Sequence, residues 1–325
     1  MNYKNRIRRL EKRLRKVDKS GSYPIRNNSG IEDPLNYKIS EVKDQIMNHY
    51  KINCSKNTFR SYLASFNNFI SLIRDKDINS INRSDLEDFK IKRSNEVSQV
   101  SVNIDIRNLQ AIFNKMVEYE IIENSKFKGV KQFKNQNEEI LTIEIADLVK
   151  ILNETKGDQM NHIIRFTLNT ACRISEVLSL KVGDIDFRNK IINIYQIKTN
   201  SKKVIPISDS MTKLLDEIIP SGFWDNIFFM KESFLFYNKI QNDPCTKLRT
   251  DTISKKFKKI IRKLNLNNNY KFHSLRHTAI SQLFRNKIPP NVIKEYAGHK
   301  NISTTMEYSH VSSEDMRLAV GSLTY

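Results

Sequence analysis

The sequence predicts a mainly α chain of the α+β class in two domains: an N-terminal helical bundle, then a C-terminal helical domain with a small antiparallel β-sheet. Three observations predict this. Apolar residues recur at spacings of three and four along most of the chain, the period of a helix with one buried face. That period breaks in DIDFRNKIINIYQIKTNSKKVIPI, which reads as two strands around a polar turn. The chain's 325 residues suffice for two ordinary domains, and the polar, unpatterned KQFKNQNEEI at 131–140 reads as the linker between them.

Residues 1–34 read as a basic helix and a linker. Ile7, Leu10, Leu14 and Val17 form one apolar stripe in a strongly basic segment, and SGSYPIRNNSGIEDP follows. The segment is either an arm for nucleic acid or a partner helix, or a solvated tail. Residues 35–134 form the first domain. Ser55 caps a helix with Phe59, Tyr62, Leu63, Phe66, Phe69, Ile70 and Ile73 on one side. Ser84 caps the next, with Leu86 and Phe89 inward. A third runs through Ile104, Leu109, Ile112, Phe113, Met116 and Val117. The outer faces carry Arg60, Lys90, Lys92, Arg93 and Arg107. Such a bundle suits a DNA clamp, and solvated cations explain the same residues.

Residues 140–325 form the second domain. Thr142 caps a helix through Ala146, Leu148, Val149, Ile151 and Leu152, and another spans Met160 to Leu168. Phe187, Ile191, Ile194 and Ile197, then Val204, Ile205 and Ile207, mark two strands around a turn at Thr199 to Lys202. Ser208 caps MTKLLDEII, and Thr252 caps ISKKFKKIIRKL with its stripe of Ile253, Phe257, Ile260, Ile261 and Leu264. The remainder is helical, broken by Pro289 and Pro290.

Charge narrows the function. Lys plus Arg number 55 against 36 Asp plus Glu, a net charge of +19. That excess favours a polyanionic partner, because each phosphate contact releases counterions. There is no run of eighteen apolar residues and the N-terminus lacks a signal-peptide core, which argues against a membrane partner. Cys54, Cys172 and Cys245 are far apart and odd in number. They read as reduced thiols of a cytoplasmic protein, not as a disulfide frame or a zinc site.

The candidate chemistry lies in TACRISEVLSL and in KFHSLRHTAISQLFRNKIPPNVIKEYAGHKNISTTMEY. His273 and Arg276, three apart on a helix, present their side chains together. Arginine offers a rigid fork to two phosphate oxygens, and imidazole exchanges a proton near neutral pH. Arg173, at the start of a helix, supplies a second guanidinium. Lys198, just before the hairpin turn, can protonate a departing alkoxide. His299, after Gly298, can donate to the phosphate. Tyr308 is a phenol that becomes a nucleophile once its proton is removed. Nearby cations lower its pKa, and His273 can act as the base. Taken singly, each has a plainer reading: a surface charge, a basic loop, a helix-ending histidine, a core tyrosine. Attack would give a phosphotyrosine ester, one ester replacing another, so no ATP is needed. No G-x-x-x-x-G-K-[ST] phosphate loop is present.

TACRISEVLSL, IKTNSKKVIPI, HSLRH, AGHKNISTT and the tyrosine of MEYSH, in that order, resemble the tyrosine recombinase (phage integrase) family. The resemblance covers residues 140–312, and residues 38–133 look like that family's helical core-binding domain. It implies that Arg173, Lys198, His273, Arg276 and His299 bind the scissile phosphate and move protons, and that Tyr308 becomes joined to a 3′ phosphate. It further implies double-stranded DNA with specific recombination sites as partner, a homotetramer exchanging strands through a Holliday junction, and no metal or other cofactor. Ala171 and Cys172 stand where the family often has Gly-Leu. Ile197, Lys198 and Thr199 stand for its Gly-Lys-Gly, which leaves Lys202 as the alternative to Lys198. In the segment after Tyr308, Val311, Met316, Leu318, Ala319 and Val320 either pack on a neighbouring subunit or fold onto their own domain. A short N-terminal region leans toward a Xer or transposon recombinase. The competing readings are a relaxing type IB topoisomerase and a catalytically silent DNA-binding regulator.

Overall fold

The computed structural model describes residues 37–125, 127, 129–134, 140–196, 201–219, 231–238 and 243–309, which divide into two units between Glu138 and Glu139. The basic helix and linker of residues 1–34, the turn residue Lys198, and the segment after Tyr308 with Val311, Met316, Leu318, Ala319 and Val320 lie outside the described residues.

The first unit holds α1 (Ile39–Asn53), α2 (Lys56–Ile73), α3 (Arg83–Ser94) and α4 (Gln99–Glu118). Each start has a local cause. Ser55 caps α2, its Oγ accepting from the Thr58 N–H at 3.2 Å. Asn82, not Ser84, caps α3. Its side chain accepts from Ser84 and Asp85, and Asp85 accepts in return from the Asn82 N–H. Ser84 already lies inside the helix. The core is a run of aromatic edges, with Phe69 5.3 Å from Phe89 and Phe113 4.7 Å from Phe127. Ile104 is exposed, and the buried stripe of α4 runs through Val102, Ile106, Leu109 and Phe113 instead.

Two of the expected outer cations are structural. Arg93 donates through Nε to Asp105 at 2.9 Å, and Asp105 also accepts from Ser65 at 2.6 Å. Lys90 donates to the Lys131 carbonyl and lies over the Phe133 ring. Asn103 pairs with both backbone groups of Phe133. Residues 131–134, expected to be linker, are therefore fastened to the first unit.

The second unit holds α5 (Ile145–Glu154), α6 (Gln159–Thr170), α7 (Ile174–Val177), β1 (Ile185–Asp186), β2 (Ile191–Gln196), β3 (Ser201–Pro206), α8 (Asp209–Ile218), β4 (Tyr237–Asn238), β5 (Asp243–Lys247), α9 (Thr250–Lys263), α10 (Phe272–Arg285), α11 (Pro290–Ala297) and α12 (Ile302–Met306). Strands β1, β2 and β3 make an antiparallel sheet in that order, and β4 pairs with β5. Ser208 caps α8 by accepting from Met211. Thr142 does not cap α5, which starts after Glu144. The chain there is held across the domain, the Thr278 hydroxyl of α10 accepting from the Ile143 N–H at 2.8 Å. Thr252 lies inside α9, which starts at Thr250. Ile163, Ile164, Phe166, Phe257, Ile261, Phe272 and Leu275 build the core beneath α10.

Register decides which side of β3 faces in. Ile192 pairs with Ile205 and Ile194 with Lys203, so Lys203 and Ile205 are buried and Val204, between them on the strand, is 54% exposed.

Candidate active site

Two helices of the second unit end alike. After α6, Ala171 takes φ 50°, ψ 25°, and after α11, Gly298 takes φ 69°, ψ 45°. A left-handed residue lets the chain leave a helix sharply, and glycine does so without strain. Gly298 has a second reason to be glycine: an added Cβ would fall 2.1 Å from the Gln196 side-chain nitrogen. Ala171 accepts the left-handed conformation despite its Cβ.

A cation bridges these two ends. Arg276 of α10 is 2% exposed. Its Nη1 donates to the Ala171 carbonyl at 2.5 Å and its Nη2 to the Ala297 carbonyl at 2.8 Å. Lys203 of β3 repeats the arrangement one residue earlier, its Nζ donating to the Tyr296 carbonyl at 3.0 Å and the Thr170 carbonyl at 3.5 Å. Helix C-terminal carbonyls carry partial negative charge, which offsets the burial of both cations. A guanidinium has five N–H donors. The two bonds use part of the Arg276 fork and fix its plane, leaving donors for a further acceptor. Burial, then the nearby Arg173, holds its pKa below the ordinary arginine value.

Arg173 sits at the start of α7, as the sequence predicts. Its N–H donates to one oxygen of Glu176 at 3.0 Å and its Nη1 to the other at 2.8 Å. Gln196 donates to Glu176 as well, at 3.2 Å. Burial pushes the Glu176 carboxyl up, but the Arg173 N–H bond and the charges of Lys203 and Arg173 outweigh it, leaving a net downward shift. The carboxylate is thus ionised at neutral pH and orients Arg173.

Aromatic rings surround the phenol. Tyr308, just after α12, is 5% exposed. Its hydroxyl lies 2.6 Å from Nδ1 of His277. The ring of His273, one turn earlier on α10, meets His277 edge-on at 4.6 Å. His299 stacks on Tyr308 at 6.2 Å, with its Nδ1 2.8 Å from the Thr305 hydroxyl. Burial, with Arg276 and Arg173 adding to it, pushes His299 down to about 4. His273 is lowered too, by the crowding of the protein around it and then by His277, Arg276 and Arg173, although the residue is exposed to solvent. His277 is lowered by burial and by Arg276. The phenol moves the other way. Arg276 and Arg173 draw its pKa down as expected, yet burial, with the Glu307 carboxylate adding to it, outweighs them and the net shift is upward. The site therefore holds a neutral phenol among neutral imidazoles.

Arg173, His273, Arg276, His299 and Tyr308, predicted from four separate motifs, are brought to one place in the second unit. Lys198 lies outside the described residues, and Lys202 is exposed on the face of β3 opposite to Lys203. The ring at the phenol is His277 and not His273, the expected base. His277 was within reach of sequence reasoning, since it lies four residues after His273 and shares its helix face. Lys203 follows Lys202 in the same basic run, and nothing in the sequence separates the two. Among the described residues no cluster of three His, Cys, Asp or Glu side chains is placed to hold a metal ion. Cys54, Cys172 and Cys245 are free thiols, and no described helix is long and apolar enough to cross a membrane.

Residues 139–315, more than half of the chain, match the sequence profile of the phage integrase family. A probable integrase/recombinase of Methanocaldococcus jannaschii is 29% identical over 202 residues, which span 59% of this chain and 59% of that protein. A tyrosine recombinase of Thermosipho africanus is 24% identical over 88% of this chain and 99% of its own length. Among solved structures, the Tn1549 transposon integrase in complex with transposon right end DNA aligns with a TM-score of 0.73 at 18% identity, covering 88% of this chain and 99% of that one. A lambda integrase tetramer bound to a Holliday junction aligns with a TM-score of 0.69 at 14% identity, covering 86% of this chain and 80% of that one.

Proposed function

Because the chain belongs to the phage integrase family, we propose that it is a site-specific DNA recombinase, cutting and rejoining double-stranded DNA through a 3′-phosphotyrosine intermediate. One observation carries the reading most: a buried tyrosine hydroxyl lies in a site where the cations Arg173, Arg276 and Lys203 outnumber the carboxylates near them, Glu176 and Glu307. That excess of positive charge suits a phosphodiester, whose charge grows at the five-coordinate stage.

Arg173 and Arg276 hold the non-bridging oxygens, and His273 and His299 flank them. The Tyr308 oxygen attacks phosphorus, and the bond to the 5′ oxygen breaks. Lys198 gives that oxygen its proton. The 5′ hydroxyl of the other duplex then attacks the tyrosine ester, so bond energy is conserved throughout. Residues 35–134 act as the core-binding domain and 140–325 as the catalytic domain, the two clamping the duplex. Four protomers hold two recombination sites and exchange strands through a Holliday junction, with the segment after Tyr308 docking on a neighbour. The fit to a lambda integrase tetramer on a Holliday junction supports this assembly. The lean within the family is toward the Xer or transposon type, acting in the cytoplasm.

The test is to trap covalent protein–DNA complexes with SDS in cells expressing the chain, then sequence the recovered DNA. Wild type should yield one recurrent site, and Tyr308→Phe none. A complex that persists in Tyr308→Phe removes Tyr308 as the nucleophile.

A further inference from the structure

We propose that His277 is the base of this reaction, accepting the Tyr308 proton as the hydroxyl attacks phosphorus. The inference rests on the recombinase reading of the site and assigns it a residue that the motif resemblance did not. Geometry carries it. The Tyr308 hydroxyl is 2.6 Å from His277 Nδ1, hydrogen-bond distance for a phenol and an imidazole. With the ring proton on Nε2, Nδ1 is an acceptor pointed at the phenol.

The other imidazoles are otherwise engaged. His273 presents itself to the His277 ring. His299 lies face to face with the phenol ring, 21° from parallel, and its Nδ1 is bonded to Thr305. His277 is also rigidly held, one residue from the buried Arg276 on α10. A buried neutral phenol needs an acceptor at the moment of attack, and a neutral imidazole in contact with it can serve. The step balances. The Oη–H bond breaks and Nδ1–H forms, Oη–P forms and P–O5′ breaks, and the 5′ oxygen takes its proton from the separate acid, Lys198. The imidazolium so formed lies beside the phosphate's developing negative charge. On rejoining, His277 returns the proton to Tyr308.

The test is single-turnover formation of the tyrosine ester on a nicked duplex carrying the recovered site. His277→Asn keeps an acceptor near Nδ1 but cannot take the proton. It should bind the duplex like wild type and form ester about 10²–10³-fold more slowly. A duplex with a 5′-thio leaving group, which needs no acid, should leave His277→Asn slow. Imidazole added to His277→Ala should raise its rate about tenfold or more, a gain that a purely structural role does not produce. Wild-type-like ester formation by His277→Asn, within about threefold, overturns the assignment, as does a full rescue by the thio duplex. Absence of any Tyr308-dependent ester in wild type would instead sink the recombinase reading, and this inference with it.

Discussion

Each unit ties down an arginine, and they do so differently. In the first, the half-buried Arg93 meets Asp105 and Glu96, so its charge is cancelled by carboxylates. In the second, Arg276 is bonded to two main-chain carbonyls, and Lys203 repeats the pattern. Carbonyls satisfy donors without cancelling the net charge. The first arrangement supports a fold, and the second leaves a positive field for an anion.

The comparison can be broken first at Arg276. Arg276→Lys keeps a positive charge but loses the planar fork, so cleavage should fall by about 10³-fold. The measurement is the single-turnover ester rate, with duplex binding as control. A rate close to wild type would mean that charge alone suffices.

At Arg93 the effect should fall on stability. Arg93→Met leaves Asp105 buried and unpaired, which should cost about 3 kcal/mol in denaturant unfolding of the first unit. The ester rate per folded, DNA-bound molecule should stay unchanged. A loss of rate at full binding would give Arg93 a chemical role and erase the contrast.

The smallest effect is on pH dependence. The folded pKa of His299 is lowered to about 4 from 6.5, so the unfolded state takes up its proton first as pH falls. Its contribution to stability is full above pH 6.5 and is lost progressively down to about 4, by roughly 3 kcal/mol. Unfolding measured across that window should show the slope, and His299→Gln should flatten it. An unchanged slope in His299→Gln would move the effect to other groups.

Local signals were legible where the side chain and its target lie within one turn. Ser55 and Ser208 cap helices because each sits in extended backbone directly before the first turn. Ser84 and Thr252 cap nothing, because another residue starts the helix earlier in the chain. Thr142 caps nothing because the helix starts after Glu144, and the chain before it is tied instead to Thr278, 135 positions from Ile143. The contact of His273 with His277 lies within one turn of α10, whereas the bond of His277 to Tyr308 crosses 31 residues and a change of direction. The Lys202–Lys203 pair shows the same limit, because strand register alone turns one inward.

By itself the sequence determined the helical period, the strand pair, and the residue types able to hold a phosphate and attack it. Spacing along one helix is a local property, so those were readable. Only the tertiary structure decided that Arg276 and Lys203 would close on the carbonyls of α6 and α11, and that His277 would meet the phenol. Those bonds depend on how separate helices and a strand pack together, and side-chain spacing in the chain carries no measure of that.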